Sequence, residues 1–295
     1  MPKLKSKELR KSIHIYEKYN QYQKAYQERM SYKTRYGDTV GMTLQGAVIN
    51  LGLLHTSFRP DIILVDEASQ LTLAESSVIG VFGACSVIFF GDDKQMPPIF
   101  HEKQQQNSLS ASIFLYIISL YPTFGGKLCV TYRMNEEITR IVSQHFYEPY
   151  GERIFVSDFS RGRKLLLKGS HPDNRINDIL ASEKSVIAID ISKEHIWEDY
   201  NPEEADFIAS FIDHLLYLGM NVKDIAVVTP YRRQVLSIRM ALREKLGVNI
   251  PQIDTTERLQ GQDVDIVIIS FSVTSEEFYR NQVEFLLNRN RLNVR

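Results

Sequence analysis

Apolar residues in this chain gather into short unbroken runs, separated by longer segments in which they recur at helical spacing. The runs Ile62 to Val65, Ser86 to Phe90, Val186 to Ile191, Ile225 to Thr229 and Val264 to Phe271 read as strands. Unbroken apolar runs of this kind predict strands buried on both faces, as in a parallel sheet with helices packed on each side. Helices are predicted over Leu71 to Gly80, Ser108 to Tyr121 and Asn201 to Gly219, and again after Pro230. The third of these opens on a clear start signal: Asn201 as cap, Pro202 at the first helical position and Glu204 three residues after the cap. Leu128 to Tyr147 joins a short strand to a helix, and Gly41 to Leu44 reads as the start of a strand with Thr43 near its end. Between Tyr150 and Lys184 the pattern is polar and irregular and predicts no ordered set of elements. The strand-then-helix rhythm makes this an α/β protein.

At 295 residues the chain is long enough for two domains. Gly125-Gly126, after Pro122, is the candidate hinge between them. Residues 1 to 36 differ from the rest, with ten Lys or Arg against three Glu. Tyr19, Tyr22 and Tyr26 fall on one face of a long helix there, which suits an arm packing on a partner helix or a basic face touching phosphates. Net charge is −1, so nucleic-acid binding would have to come from a local groove. Cys85 and Cys129 lie in apolar runs and read as small buried core residues of a reduced, cytoplasmic or nuclear protein. The histidines have no zinc spacing, and no apolar run spans a bilayer.

Chemistry enters at Asp61 to Gln70, where the first strand delivers Asp66 and then Glu67 to its carboxyl end. Ligands of parallel sheets sit at that edge. An Asp followed by a Glu there suits a nucleotide triphosphatase: Asp66 holding Mg²⁺ against the outer phosphates, Glu67 orienting or deprotonating water. A strand that merely ends in solvated acids is the alternative. The second strand closes on Gly91-Asp92-Asp93, followed by Lys94 and Gln95, with Pro97-Pro98 fixing the exit. Tyr132 and Arg133 stand at the next strand-to-helix junction.

Taken in this order, the three runs resemble motifs II, III and IV of superfamily 1 helicases, in the branch that includes the nonsense-mediated decay helicase and its bacterial relatives. TPYRRQ (Thr229 to Gln234) and DTTERLQGQDVD (Asp254 to Asp265) extend the resemblance, and FLLNRNRLNVR (Phe285 to Arg295) is similar to the start of motif VI. The resemblance implies two RecA-like P-loop NTPase domains, the first incomplete: a helical stalk over 1–37, a partial first domain over 38–126, and an AAA_12-type second domain over 127–295. It also implies ATP as ligand, with Gln95 sensing the terminal phosphate, Arg133 acting as an arginine finger and Tyr132 stacking on adenine. Gln260, Gly261 and Asp263 stand where the family links nucleotide to nucleic acid, with Asp263 a shorter acid than the family's Glu. Thr229, Pro230, Tyr231 and Arg232 or Arg233 stand where the family contacts the nucleic-acid backbone; a solvated helix face is the alternative for the two arginines. A threonine near Thr43 has that role too, although an ordinary strand residue fits it as well.

The phosphate-cradling pattern G-x-x-x-x-G-K-[ST] does not occur; Gly126-Lys127 is followed by Leu128. The second arginine of motif VI lies past the Asn293-Val294 pair, and Arg295 does not match it. These departures lead to the expectation of a helicase fragment or split half, with ATP hydrolysis impaired unless another chain supplies the cradle. Two function classes remain open: a motor on single-stranded DNA or RNA, and a non-catalytic module that binds nucleic acid or protein.

Overall fold

A computed structural model of the chain describes residues 39–52, 54, 58–98, 108–169, 174–180, 184–191, 195–247, 249–259 and 263–293, with a few helical positions between 18 and 28. The tyrosine stripe and the glutamine-rich segment before Ser108 thus lie mostly or wholly outside the described residues. Backbone contacts divide the chain into two compact units, one comprising residues 1–93 and 97–124, the other 94–96 and 125–295.

In the first unit, α1 (Leu44–Ile49) begins at Thr43, whose hydroxyl accepts from the Gly46 amide at 3.1 Å. The strand expected at Gly41 to Leu44 is therefore a helix cap, because a Thr oxygen can satisfy an amide that has no intrahelical partner. Strand β1 (Ile62–Val65) leads to a 3-10 turn (Ala68–Gln70) and then to α2 (Leu73–Val81). Thr72 and Glu75 close a reciprocal capping box at the start of α2. Strand β2 (Ser86–Phe89) pairs with β1 in parallel, Leu64 opposite Ile88, and α3 (Ile113–Leu120) follows. One face of the pair packs Ile63 on a small core of Ala47, Leu54 and Phe82. The other leaves Ile62 57% and Leu64 65% exposed. Burial on both faces was expected of β1; it fails because, among the described residues, β2 is its sole strand partner and no element packs on the outer face.

The second unit contains β3 (Val130–Thr131) paired in parallel with β4 (Phe155–Val156). Between them lie α4 (Glu136–Val142), a π turn (Ser143–Tyr147) and a 3-10 turn (Glu148–Tyr150). Then come α5 (Asn174–Leu180), α6 (Pro202–Tyr217), β5 (Ile225–Thr229), α7 (Arg232–Leu246), β6 (Gln252–Thr255), α8 (Thr256–Leu259), β7 (Ile266–Ile269), α9 (Glu276–Leu286) and α10 (Arg289–Leu292). The main sheet is parallel, in the order β6-β5-β7. All five residues of β5 are buried. Ile225 and Val227 pack with Ile208, Ile212 and Leu215 of α6, Ile238 and Leu242 of α7, and Ile253 of β6. Each such side chain contributes roughly 1.5–3 kcal/mol on leaving water.

Helix α6 starts as its sequence requires, with Asn201 accepting from the Glu204 amide at 3.1 Å. It stops before Gly219, whose φ of +91° disfavours any residue with a Cβ. Val186 to Ile191 is not a strand. It has no strand partner among the described residues, and Val186, Ile187 and Ile189 are exposed, since an extended apolar segment becomes a strand only where another edge can accept its hydrogen bonds. Cys85 is exposed and Cys129 half-buried, both free thiols, so neither is the core residue that its apolar setting predicts. Among the described residues no helix is long and apolar enough to cross a membrane.

At the carboxyl ends of β5 and β7, the fully buried Gln234 joins three segments. Its Oε1 accepts from the Asn201 amide at 2.7 Å, and its Nε2 donates to the Asn201 carbonyl at 3.3 Å and to Ser270 Oγ at 3.0 Å. Gln234→Leu, similar in volume, leaves the buried Asn201 amide unpaired. It is expected to lower unfolding free energy by about 1–3 kcal/mol, measured by urea denaturation; an unchanged midpoint would show that the network adds nothing.

Candidate functional site

Asp66 and Glu67 leave β1 at its carboxyl end, and both are exposed. Asp66 Oδ1 accepts from the Glu67 amide at 3.0 Å. Glu67 has φ +51°, ψ +37°, a left-handed conformation costly for a residue with a side chain. It is held there from both sides. The Ala68 amide donates to the Phe90 carbonyl at 2.8 Å, and the Phe90 amide donates to the Val65 carbonyl at 2.8 Å. The two chains leave their strands so close together that a Cβ on Gly91 would lie 2.9 Å from the Ser69 nitrogen and 3.2 Å from the Phe114 ring. Gly91 is thus the residue that lets the second strand's exit pass the acidic turn. Ser69 Oγ is buried there with no hydrogen-bond partner.

Gln95 belongs with Lys94 and Met96 to the second unit. Asn290 Nδ2 donates to the Gln95 carbonyl at 2.7 Å, and Asn293 Nδ2 donates to the Lys94 carbonyl at 3.2 Å and to Tyr147 Oη at 3.0 Å. Arg291 pairs with Glu257 and lies 3.7 Å from the centre of the Phe285 ring. Asn290, Arg291 and Asn293 have no role in the sequence reading. The signal was present in the NRNRLN run, but a side-chain amide reaching main-chain carbonyls almost two hundred positions away leaves no local pattern.

Arg133 Nε stands 3.7 Å from Asp263 Oδ1, with both side chains more than half exposed. Two of the predicted nucleotide-site residues are thereby brought together. Tyr132 beside them is 67% exposed. Gln260 and Gly261 lie outside the described residues.

Of the predicted backbone-contact set, Thr229 is fully buried, with no partner for its hydroxyl, and Pro230 is buried as well. Both lie at the carboxyl end of β5. Tyr231 packs its ring on Phe278 and Phe285. Arg232 is exposed; Arg233 donates to Asp199 at 2.7 Å and lies over the Tyr200 ring at 4.2 Å. Among the described residues no group of three or more His, Cys, Asp or Glu is placed to hold a metal ion. One carboxylate with waters and substrate phosphates is nevertheless an ordinary Mg²⁺ environment, and the exposed Asp66 carboxylate fits it.

The strain at Glu67 has a measurable consequence. Glu67→Gly relaxes the left-handed backbone, whereas Glu67→Ala keeps it. The glycine variant is expected to be the more stable of the two by about 1 kcal/mol in chemical denaturation; equal stabilities would mean the turn is not held in this conformation.

The AAA domain family model designated AAA_12 matches residues 109–295. Helicase sen1 of Schizosaccharomyces pombe is 27% identical over 270 residues, covering 87% of this chain and 15% of that protein. The DNA polymerase alpha-associated DNA helicase A of the same yeast is 29% identical, covering 80% of this chain and 35% of its own length. The Regulator of nonsense transcripts 1 homolog of Drosophila melanogaster is 29% identical, covering 79% and 19%. The chain spans only a minor part of each. With the motif order, the parallel α/β units and these relatives together, the chain belongs to the AAA domain family, in the superfamily 1 helicase-like branch.

Proposed function

We propose that this chain is part of an ATP-dependent helicase or translocase on single-stranded nucleic acid, with ATP hydrolysis impaired unless another chain supplies the phosphate cradle. The observation that carries the reading is the acidic turn: two exposed carboxylates at the carboxyl end of a parallel strand, one held in a left-handed conformation. Strain of this kind persists where the surrounding structure over-determines it, and it gathers at sites that do chemistry. In this reading Asp66 holds Mg²⁺, which when bound neutralises charge on the outer phosphates. Glu67 orients water and takes its proton. Gln95 senses the terminal phosphate, Tyr132 stacks on adenine, and Arg133 offsets charge on the transferring group. Arg133 is available for that work because an exposed ion pair such as Arg133–Asp263 is worth little in water, so a phosphate displaces Asp263 at small cost. Gln260, Gly261 and Asp263 link nucleotide to strand, and Arg232 or Arg233 meets the strand's backbone. Residues 1–37 act as a stalk, 38–126 as a partial first RecA-like domain and 127–295 as the second. The setting is cytoplasmic or nuclear. Relatives named as DNA helicases and as a regulator of nonsense transcripts support nucleic acid as the ligand class and leave DNA and RNA both open.

A second reading, a module that binds without hydrolysis, is favoured by one observation: G-x-x-x-x-G-K-[ST] occurs nowhere in the 295 residues. Steady-state phosphate release in the presence of a single-stranded oligonucleotide separates the two. The chain alone is expected to turn over slowly, and a chain carrying that cradle to restore the rate. Arg133→Ala is then expected to reduce the restored rate by about a thousandfold or more, with Glu67→Gln also strongly impaired. Robust turnover by the chain alone would overturn the need for an outside cradle, and a failure to bind nucleotide under any condition would leave the binding module.

A further inference from the structure

The second unit carries an open cavity of about 380 Å³ lined by Arg140, Arg161, Arg163, Lys164 and Lys184. Only two carboxylates, Glu136 and Glu137, share the lining, an excess of three positive charges in a chain whose net charge is −1. The volume falls within the range of small-ligand clefts, roughly 300–1,000 Å³.

Three chain segments form the walls: the start of α4, the turn after β4, and residues 184–185. Asn135 joins them. Its Nδ2 donates to the Arg163 carbonyl at 3.1 Å and to Ser185 Oγ at 2.7 Å, while its Oδ1 accepts from the Ile138 amide at 3.1 Å. Both acids are engaged in the wall. Glu137 accepts from the Ser185 amide at 2.7 Å, a bond that holds its carboxyl below the usual carboxylate range. Glu136 pairs with Arg161 at 3.3 Å, and Asp158 meets the same guanidinium at 3.4 Å. Arg163 is fixed by Asp265 at 3.0 Å and donates to the Arg133 carbonyl at 3.1 Å. Arg140 and Lys164 take part in none of these hydrogen bonds, although the Arg140 charge, like that of Lys184, also helps to hold the Glu137 carboxyl down.

We infer that this cavity is a phosphate-binding site built from residues other than those proposed above for nucleotide, taking either a phosphodiester of the bound strand or a free phosphate. Guanidinium and ammonium groups converging on one space match the tetrahedral oxygens of that group and few neutral ligands. The cavity is also the local basic groove that a chain of near-zero net charge needs if it is to hold a polyanion. The Arg163 bond to the Arg133 carbonyl links the cavity wall to the segment that carries the proposed finger. The strand version of the inference rests on the nucleic-acid reading above; the free-phosphate version does not.

The test uses the full chain, a double variant Arg140→Gln with Lys164→Gln, and a charge-matched control, Arg243→Gln with Lys245→Gln, on exposed positions of α7. Binding of a fluorescein-labelled oligothymidylate is followed by anisotropy over a salt series, and inorganic pyrophosphate is followed by its effect on the melting temperature. A strand ligand predicts at least about tenfold weaker oligonucleotide binding in the cavity variant, with the log–log salt slope shallower by roughly 1–1.5 and the control unchanged. A free-phosphate ligand predicts that pyrophosphate stabilises the wild type and the control but not the cavity variant, with oligonucleotide binding unaltered. If the wild type binds no oligonucleotide yet shows that pyrophosphate effect, the nucleic-acid reading falls and the cavity stands. If the cavity variant matches the control on both probes, the inference is overturned.

Discussion

Strand β5 pairs in parallel with β6 on one side and β7 on the other, and every one of its residues is buried. This constraint sets the rest of the larger unit. A strand with both edges paired and both faces covered is built almost wholly from apolar residues, and here both neighbours run the same way as β5, which sends three carboxyl ends to one edge. Thr229, Thr255 and Ser270 gather there. So does Gln234, whose amide satisfies both main-chain groups of Asn201 and the hydroxyl of Ser270. A buried amide in such a position is tolerated because nearly all its capacity is used, and it fixes the start of α6 against the strand ends.

Backbone strain is confined in a way that follows the same logic. Among the described residues, Glu67 and Ser272 are the non-glycine positions with positive φ, and each follows the carboxyl end of a parallel strand. Ser272 is almost fully buried, and its amide donates to Glu204 Oε2 at 3.0 Å. Glu67 is exposed and is held by its flanking main chain instead. Where the chain must turn sharply off a strand, over-determined surroundings offset an unfavourable dihedral. An acid at such a point is presented in a restricted direction, which ordinary loop residues are not.

Charge is distributed unevenly for a molecule of net charge −1. Basic side chains that converge on one cavity repel each other, and the wall bears this because Arg161 and Arg163 are each matched to carboxylates while Asn135 holds the segments together. The main chain of Lys94 and Gln95 is held by two asparagines near the end of the chain, so these residues are positioned by hydrogen bonds between segments far apart in sequence.

The residues themselves determined the α/β class, the helix start at Asn201, the strands at Ile62, Ser86 and Ile225, and the placing of Asp66 and Glu67 after a strand end, because each depends on local spacing, capping and an unbroken apolar run. Tertiary structure decided what depends on neighbours. Thr43 became a cap rather than a strand residue, Val186 to Ile191 stayed unpaired, and Cys85 and the outer face of β1 stayed open. Thr229 was buried while Arg133 met Asp263. Apolar character makes a segment able to be buried, but burial itself needs a second surface, and the pairing of distant charges needs the fold that brings them within reach; neither is written in any one stretch of sequence.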